Sequence, residues 1–284
     1  MKPSANLPIQ KLLDGEFLRV TRLHKDLNQL SVIPHRHDHY ELMLVTKGEG
    51  IHYIDFKPYG VKPGRLYFIQ PGQVHLIDKF DRDGWLVMFG EELFKLFVNI
   101  HNRENETGLL DSYTTAPYID VDDELNSIVT FLIEQLQHEC GRAKADASLT
   151  LHYTSLLLLH ANRAHIVQHG QVQSVGLNRG LLHQLKQLIN LHLRQQHQAA
   201  FYAEALLVDI KKLNGICREA TQMTVFELLQ ERLLTESKIL LQTSEQSVKE
   251  ISYELGFNDP AFFGRFFKRH TGITPADFRN VRMI

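Results

Sequence analysis

Four side chains that can bind metal ions or polar ligands alternate along one short segment of this sequence: His35, His37, His39 and Glu41. Side chains two residues apart lie on the same face of a β-strand, so these four could converge on the interior of a sheet or barrel. Imidazole nitrogens combined with a carboxylate oxygen suit iron, manganese, nickel or zinc. The same groups could instead line a pocket for a small molecule, or simply stand where a strand begins.

A different chemistry is indicated near the end of the chain, in residues 247–279. Ser247 and Glu250 have the spacing of a capping box at the start of a helix, and Gly256 can end that helix. Pro260 suits the first position of a second helix. A short helix that follows a tight turn and carries an arginine in its second turn fits the major groove of DNA. The segment therefore predicts a helix-turn-helix motif.

The order of residues in this segment resembles the signature of the AraC/XylS transcription regulators. The positions that carry the resemblance are Gly256-Phe257, Phe263, Arg265, Phe267-Lys268, Gly272, Thr274-Pro275 and Phe278-Arg279. The resemblance covers more than thirty residues and implies a sequence-specific DNA-binding domain.

A second copy of the motif is predicted upstream, because a shift of about fifty residues aligns residues of the same character. The aligned pairs are Leu213 with Phe263, Cys217 with Phe267, Arg218 with Lys268, Thr221 with Thr271, Thr224 with Thr274 and Arg232 with Arg282. Residues 224–242, between the copies, lack glycine and proline and predict a connecting helix. The family resemblance implies that the two recognition helices stand about one duplex turn, roughly 34 Å, apart.

The candidate DNA contacts differ between the two copies. They are Pro260, Ala261, Gly264, Arg265 and Lys268 in the second copy, and Lys211, Lys212, Asn214 and Arg218 in the first. An arginine that pairs with guanine contributes roughly 1–3 kcal/mol of discrimination. Gly215 aligns with Arg265, so the first copy lacks an arginine at that position. We therefore expect direct base readout mainly from the second copy and positioning from the first.

The first half of the chain has the texture of a β-barrel, with short apolar runs separated by glycine and proline over residues 37–89. His35, His37, Glu41, Gly48, Gly64, Pro71-Gly72 and His75 together resemble the cupin family, whose barrel commonly forms the sensor of AraC-type regulators. In cupin enzymes the residues matched by His35, His37, Glu41 and His75 hold a metal. Regulator sensors often keep the barrel without the metal, and we predict none here. The predicted ligand-binding residues for an unidentified small-molecule effector are His35, His37, Glu41, Met43, Tyr53, Tyr67 and His75.

Two amphipathic helices are predicted between the barrel and the DNA-binding domain, at residues 120–139 and 149–166. By resemblance they form an antiparallel pair through which the sensor dimerises; alternatively, they cover the open barrel. A polar, glycine-containing linker is expected at 168–180, followed by a helix at 181–193.

The fold class expected for the 284 residues is therefore α+β with two domains: a cupin-like barrel with a helical dimerisation segment over 1–167, and an all-α domain with two helix-turn-helix motifs over 181–284. The net charge of −2 alone argues weakly against a nucleic-acid partner, but residues from 181 onward carry an excess of about two positive charges. This modest excess favours positioned rather than diffuse DNA contacts. No signal peptide or membrane span is recognisable, so a cytoplasmic protein is expected.

The predicted function is a ligand-responsive activator, not an enzyme, that acts as a homodimer on double-stranded promoter DNA with RNA polymerase as a partner. The alternatives are a metal-dependent cupin enzyme fused to a DNA-binding domain, and a regulator without a ligand.

Overall fold

The computed structural model describes residues 9–10, 17–23, 34–77, 83–101, 108–110, 116–169 and 177–280. The chain divides into two compact units, residues 9–176 and residues 177–284. Every described strand belongs to the first unit, whereas the second unit is helical. These units confirm the predicted α+β class, while the domain limits at residues 167 and 181 stay a prediction.

The first unit contains two five-stranded sheets. Their strands are β1 (Ile9–Gln10), β2 (Leu18–Arg22), β3 (His35–His37), β4 (Tyr40–Lys47), β5 (Gly50–Ile54), β6 (Lys57–Val61), β7 (Arg65–Ile69), β8 (Val74–Ile77), β9 (Asp83–Phe89) and β10 (Tyr118–Asp120). One sheet has the order β1-β3-β8-β5-β6 and the other β10-β7-β4-β9-β2. The pairs other than β1 with β3 are antiparallel, as expected for a cupin-like barrel.

Strand β4 separates two apolar cores, because its successive side chains point to opposite faces. Met43 and Val45 belong to the core inside the barrel, which also contains residues of β5, β6, β7 and β8. Leu42 and Leu44 belong to a larger core on the other face. A strand that is buried on both faces reads as a continuous apolar run, which is why 42–45 shows no polar alternation.

Three helices cover that outer face: α1 (Glu91–His101), α2 (Asp123–Cys140) and α3 (Ala147–His169), with a short 3₁₀ turn at Gly108–Leu110. Leu132 and Leu136 of α2, and Leu157 and Leu158 of α3, are buried in the same core as the outer face of β4. Asp122 begins α2, since its carboxylate accepts the N–H of Leu125 at 2.8 Å. Both predicted helices are therefore present and cover the barrel.

The second unit consists of seven helices within its described residues: α4 (Leu177–His192), α5 (Ala199–Ala205), α6 (Ile210–Thr221), α7 (Val225–Thr243), α8 (Val248–Glu254), α9 (Pro260–Thr271) and α10 (Pro275–Asn280). The predicted connecting helix is α7, and it begins with a capping box of Thr224 and Glu227. The helix expected at 181–193 begins earlier, at Leu177, so the predicted linker is helical at 168–169 and 177–180. Residues 170–176 of that linker lie outside the described ranges. Nowhere in the described chain does a helix combine the length and apolar character needed to span a bilayer.

Candidate DNA-binding surface and barrel interior

Two helix pairs in the second unit, α5 with α6 and α8 with α9, have the same construction. Helices α6 and α9 have twelve residues each, and both follow an aspartate cap. The Asp209 carboxylate accepts the N–H of Lys211 at 2.8 Å, and that of Asp259 accepts the N–H of Ala261 at 2.9 Å. Each helix ends at a left-handed residue. The structure thus confirms the predicted repeat.

Both recognition helices, α6 and α9, are held by a buried apolar face at matching positions. The buried residues are Leu213, Ile216 and Cys217 in α6, and Phe263, Phe266 and Phe267 in α9. Burial raises the pKa of the Cys217 thiol to about 12, so this thiol stays protonated and packs as a small apolar side chain. The buried faces fix which sides of α6 and α9 remain available to DNA.

The exposed face of α9 presents a lightly tethered arginine. The Arg265 side chain is 69% exposed, and one guanidinium nitrogen lies 3.9 Å from the Asp259 carboxylate. Its guanidinium carbon lies 5.8 Å from the centre of the exposed Phe262 ring. Ala261 and Lys268 are exposed on the same helix. Because a weak exposed ion pair is easily exchanged, Arg265 is free to reach a guanine edge in a major groove.

The exposed face of α6 carries basic side chains but has no arginine at the position equivalent to Arg265. Lys211, Lys212 and Arg218 are exposed, as predicted. Gly215 occupies the position that Arg265 has in α9, and a Cβ added to Gly215 would meet no atom within 4 Å. Asn214 is half-buried, and its Oδ1 accepts the N–H of Val225 at the start of α7 at 3.0 Å. Asn214 thus has a structural role through its Oδ1, and its NH₂ group can still donate to a base.

Inside the barrel, His37, Glu41 and His75 converge. One potential ligand atom from each side chain lies within 4.8 Å of the other two, and all three residues are buried. Strand β3 supplies His37, β4 supplies Glu41 and β8 supplies His75. Two nitrogens and one oxygen at this separation could hold a divalent metal ion, or a polar ligand of similar size.

Further histidines surround this cluster. The His35 ring lies 4.3 Å from that of His75, and the His39 ring stacks at 4.4 Å on that of His37. Nε2 of His52 is 3.0 Å from Nδ1 of His75, and the His52 ring also contacts Tyr67 at 4.8 Å. The interior is thus a connected polar group rather than an apolar core alone.

Burial sets the protonation of the cluster. Burial, together with the neighbouring His39, lowers the pKa of His37 to about 3. Burial also lowers the pKa of His75 well below its usual value, with His35 as the next cause. Burial raises the pKa of Glu41 to about 7. Near neutral pH these two imidazoles are therefore neutral, and each can donate and accept one hydrogen bond.

The predicted pocket residues are largely brought together, and Tyr53 is the exception. Met43 and Tyr67 lie in the interior core. Strand alternation places His52 and Ile54, both buried, on the inner face of β5, so Tyr53 between them lies on the outer face. Strand alternation therefore argues against Tyr53 as a pocket wall, and its role stays a prediction. The sequence left the phase of the strand undetermined, because Tyr53 and Ile54 are consecutive apolar residues.

Two residues of functional interest escaped the sequence prediction. His52 is one of them, and its two-residue spacing to Ile54 is the signal that could have identified it. Phe262 is the other: it is exposed beside Arg265 on α9. The i, i+3 spacing to Arg265 indicates that both residues share one face of the helix.

Comparisons with known proteins agree with both halves of this description. Residues 202–280 match a family described as a helix-turn-helix domain, and residues 17–88 match the AraC-like ligand binding domain. The chain is 26% identical over 253 residues to the HTH-type transcriptional activator RhaR of Cronobacter sakazakii, with 86% of each protein covered. It is 24% identical over 260 residues to the HTH-type transcriptional activator RhaS of Salmonella paratyphi A, with 90% of each covered.

A third relative is the HTH-type transcriptional activator RhaR of Mannheimia succiniciproducens, 23% identical over 254 residues, which are 87% of this chain and 86% of that protein. The matched families and relatives are transcription regulators rather than enzymes. The two domain matches, the repeated helix pairs and these relatives together show that the chain belongs to the AraC family of DNA-binding transcription regulators.

Proposed function

We propose that this protein is a ligand-responsive activator that binds promoter DNA as a homodimer in the cytoplasm. DNA binding is supported by the two equivalent helices, α6 and α9, which each expose basic side chains. Both helices enter successive major grooves. The contacts come from Pro260, Ala261, Gly264, Arg265 and Lys268 in α9, and from Lys211, Lys212, Arg218 and the Asn214 NH₂ group in α6.

In-vitro selection with the full-length protein tests this docking. Duplexes are enriched from a random pool, and the best sequence, here called the selected duplex, is footprinted. We expect each subunit to protect two half-sites whose centres are about 10 bp apart, since one turn separates successive major grooves on one face. A single protected half-site, or the absence of any enriched sequence, would contradict the proposal.

The barrel interior is the proposed effector site. Among the described residues, Nε2 of His37 and Nε2 of His75 are buried without a hydrogen-bond partner. A buried polar atom without a partner is unfavourable by about 1–3 kcal/mol, so a ligand that pairs with both nitrogens would gain affinity. Trp85 is the single tryptophan of the chain; it lies on β9 and is buried in the core on the outer face of the sheet. A screen of small polar metabolites, read from the thermal midpoint of Trp85 fluorescence, tests the site: a compound that stabilises the wild type should lose its effect in His75→Ala.

We expect effector binding in the barrel to change the contacts of the last turn of α3. The Arg65 guanidinium on β7 binds the Asp120 carboxylate at 2.7 Å, and the Gln168 side-chain amide exchanges two hydrogen bonds with the Asp120 backbone, at 2.9 and 2.5 Å. Tyr67, two residues after Arg65 on β7, contacts the ring of the interior residue His52 at 4.8 Å. A ligand that shifts β7 would therefore bias the last turn of α3, which leads into the linker. Gln168→Ala should weaken the effector response in a reporter assay while DNA affinity without effector is unchanged.

Dimerisation is proposed through α2 and α3. Phe131 on α2, and Leu149 and Leu156 on α3, are large apolar side chains that remain exposed after these helices cover the barrel. Leu149 and Leu156 are seven residues apart and so share one face of α3. Light scattering should give a dimer mass for the wild type and a monomer mass for Phe131→Glu; a dimeric variant would contradict this interface.

Activation is proposed because the relatives are named transcriptional activators. In that role the DNA-bound dimer would contact RNA polymerase. A reporter driven by a promoter that contains the selected duplex should be switched on by the protein, and repression of the same reporter would contradict activation.

A divalent metal ion is the second candidate occupant of the interior, and it is favoured by the His37, Glu41 and His75 ligand atoms within 4.8 Å. In that case the ion would stabilise the barrel or anchor the effector. Metal analysis of the purified protein distinguishes the two candidates, because a stoichiometric transition metal that is lost in Glu41→Gln would favour the ion.

A further inference from the structure

A short turn after α4, residues 193–198, connects the two halves of the DNA-binding unit through Arg194. Nη1 of Arg194 donates a hydrogen bond to Oε1 of Glu254 on α8 at 2.6 Å, and Nη2 lies 3.9 Å from Oε2 of Glu236 on α7. The turn itself leads into α5, the first helix of the first helix pair. One guanidinium thus contacts both the connecting helix and the second helix pair.

The backbones also approach each other at this point. Gly256, two residues after the last residue of α8, has φ +80°, and an added Cβ would clash with the Arg194 carbonyl oxygen and lie 3.2 Å from Nε2 of His197. The His197 ring contacts the Phe257 ring at 5.3 Å between centres. Glycine is needed at residue 256 both for the left-handed conformation and for this close approach.

Both acidic partners of Arg194 are themselves held in place. The Glu236 side chain is 4% exposed, and its Oε1 lies 2.8 Å from Nη2 of Arg232. The second oxygen of Glu254 accepts a hydrogen bond from Nε2 of Gln246 at 2.6 Å. The carbonyl oxygen of Gln246 in turn accepts one from Arg279 on α10 at 2.5 Å. The network therefore reaches from the turn 193–198 to the last described helix.

The first helix pair is not built to form the same contact. Ala205 occupies the position at the end of α5 that Glu254 occupies at the end of α8, and Ala205 has no side-chain acceptor. Leu207 takes the left-handed conformation that Gly256 has in the second pair, with φ 54°. The acidic group and the glycine are thus specific to the second pair, where they meet Arg194.

We propose that Arg194 is a positioning residue that fixes the second recognition helix relative to the first, and so sets the spacing between half-sites that the protein accepts. The inference rests on the proposed function, because it requires that α6 and α9 both enter DNA. Arg194 touches no base in this role. It determines how far the distance and angle between the two helices can vary when a half-site is displaced.

Half-site spacing is the readout, because a general loss of binding would not change it. One inserted base pair moves the second half-site by about 3.4 Å and rotates it by about 35°, since a turn contains about 10 bp. Fluorescence anisotropy gives the affinity of the full-length protein for the selected duplex and for versions with one base pair added or removed. We expect the wild type to lose tenfold or more on either change, and Arg194→Ala to lose less than threefold.

Arg142→Ala is the matched control, because Arg142 also pairs with a buried glutamate, Glu139, at 3.1 Å, but in the first unit. It should keep the spacing preference of the wild type. Glu254→Gln is the second variant: it weakens the same contact without removing a positive charge, and it should relax the spacing preference in the same direction as Arg194→Ala. Combining the two substitutions should relax the preference no further than Arg194→Ala alone.

The possible failures are distinguishable. A wild type that binds all spacings equally would contradict the two-groove docking itself. A spacing preference that persists in both Arg194→Ala and Glu254→Gln would overturn the inference and leave the docking intact. If Arg194→Ala weakens every duplex equally and lowers the slope of log affinity against log salt by about one, Arg194 is a phosphate contact and not a positioning residue.

Discussion

The two recognition helices, α6 and α9, have the same caps and equivalent buried positions, but they differ in the residues on their exposed faces. Helix α9 has Arg265 on its exposed face, with Gly256 and Gly272 as the left-handed residues before and after it. In the matching left-handed positions around α6 stand Leu207 and Gln222, while a glycine, Gly215, replaces the arginine. The second pair therefore has glycines at its left-handed positions and an exposed arginine that can reach a base. The first pair has neither.

The residues that build these helices and the residues on their exposed faces therefore vary independently. Aspartate caps and three buried residues define each helix, and these features match between the copies. A side chain in the left-handed region is disfavoured by roughly 1 kcal/mol relative to glycine. The first pair tolerates two such residues because its buried face keeps the helix in place. We interpret the first pair as a positioning element and the second as the reader.

The largest expected effect is the loss of Arg265. Arg265→Ala should weaken binding to the selected duplex by roughly 10- to 100-fold, since a bidentate arginine–guanine contact contributes about 1–3 kcal/mol. Binding to an unrelated duplex should change little. Anisotropy titrations measure both affinities. Arg269→Ala, on the same helix and also exposed, is the control, and an equal loss in both variants would contradict the role of Arg265 as the reader.

The next effect concerns the helix ends. Gly272→Ala should destabilise α9 by about 1 kcal/mol, and Gln222→Gly should stabilise the end of α6 by a similar amount, because both positions are left-handed. Hydrogen exchange of the amides in the two helices measures these changes locally. Changes of the same sign in the two variants would show that the two helix ends are not equivalent.

A glycine within α6 gives a smaller effect on stability. Gly215→Ala should stabilise α6 by about 0.5–1 kcal/mol, because alanine favours a helix and a new Cβ would meet no atom within 4 Å. Hydrogen exchange of α6 is the measurement. If the stabilised variant binds the selected duplex less tightly, the helix backbone approaches the DNA at residue 215. Unchanged stability would contradict the open surroundings of Gly215.

The smallest effect is expected from a lysine of the first helix. Lys212→Ala should weaken specific and unrelated duplexes to the same modest extent and lower the salt slope by about 0.9, as for the loss of one phosphate contact. Affinities at several salt concentrations provide the slope. Loss of affinity for the selected duplex alone would mean that Lys212 reads a base, and the contrast between the two helices would then be wrong.

The second helix pair was predictable in detail, because its signals are local. Ser247 with Glu250, the Asp259 cap and Gly272 each determine a helix end within a few residues of themselves. The first pair was predictable only through its repeat relation, since Leu207 and Gln222 take conformations that their own side chains do not favour. Nothing local indicated that Asn214 would accept the N–H of Val225, eleven residues later, at the start of α7.

The sequence predicted that the first unit is a β-barrel, but it predicted less well which side chains point into the barrel interior. The alternation of His37 and Glu41 correctly indicated that these two side chains lie close together, and the His35 ring contacts that of His75. The inward position of His52 depends on the register of β5 with β8, which pairs His52 with Ile77 and Ile54 with His75. Register is determined by contacts between strands that are distant in the sequence. The sequence of β5 alone therefore could not show whether His52 or Tyr53 points into the barrel.

Methylation interference on the selected duplex tests most directly whether α9 is the principal reader. Methyl groups are placed on guanine N7 in the major groove, and bound and free molecules are separated with the wild type and with Arg265→Ala. We expect strong interference at a guanine in one half-site for the wild type, loss of that interference in the variant, and weak interference in the other half-site. Equal interference in both half-sites that persists in Arg265→Ala would contradict the assignment of base readout to the second helix.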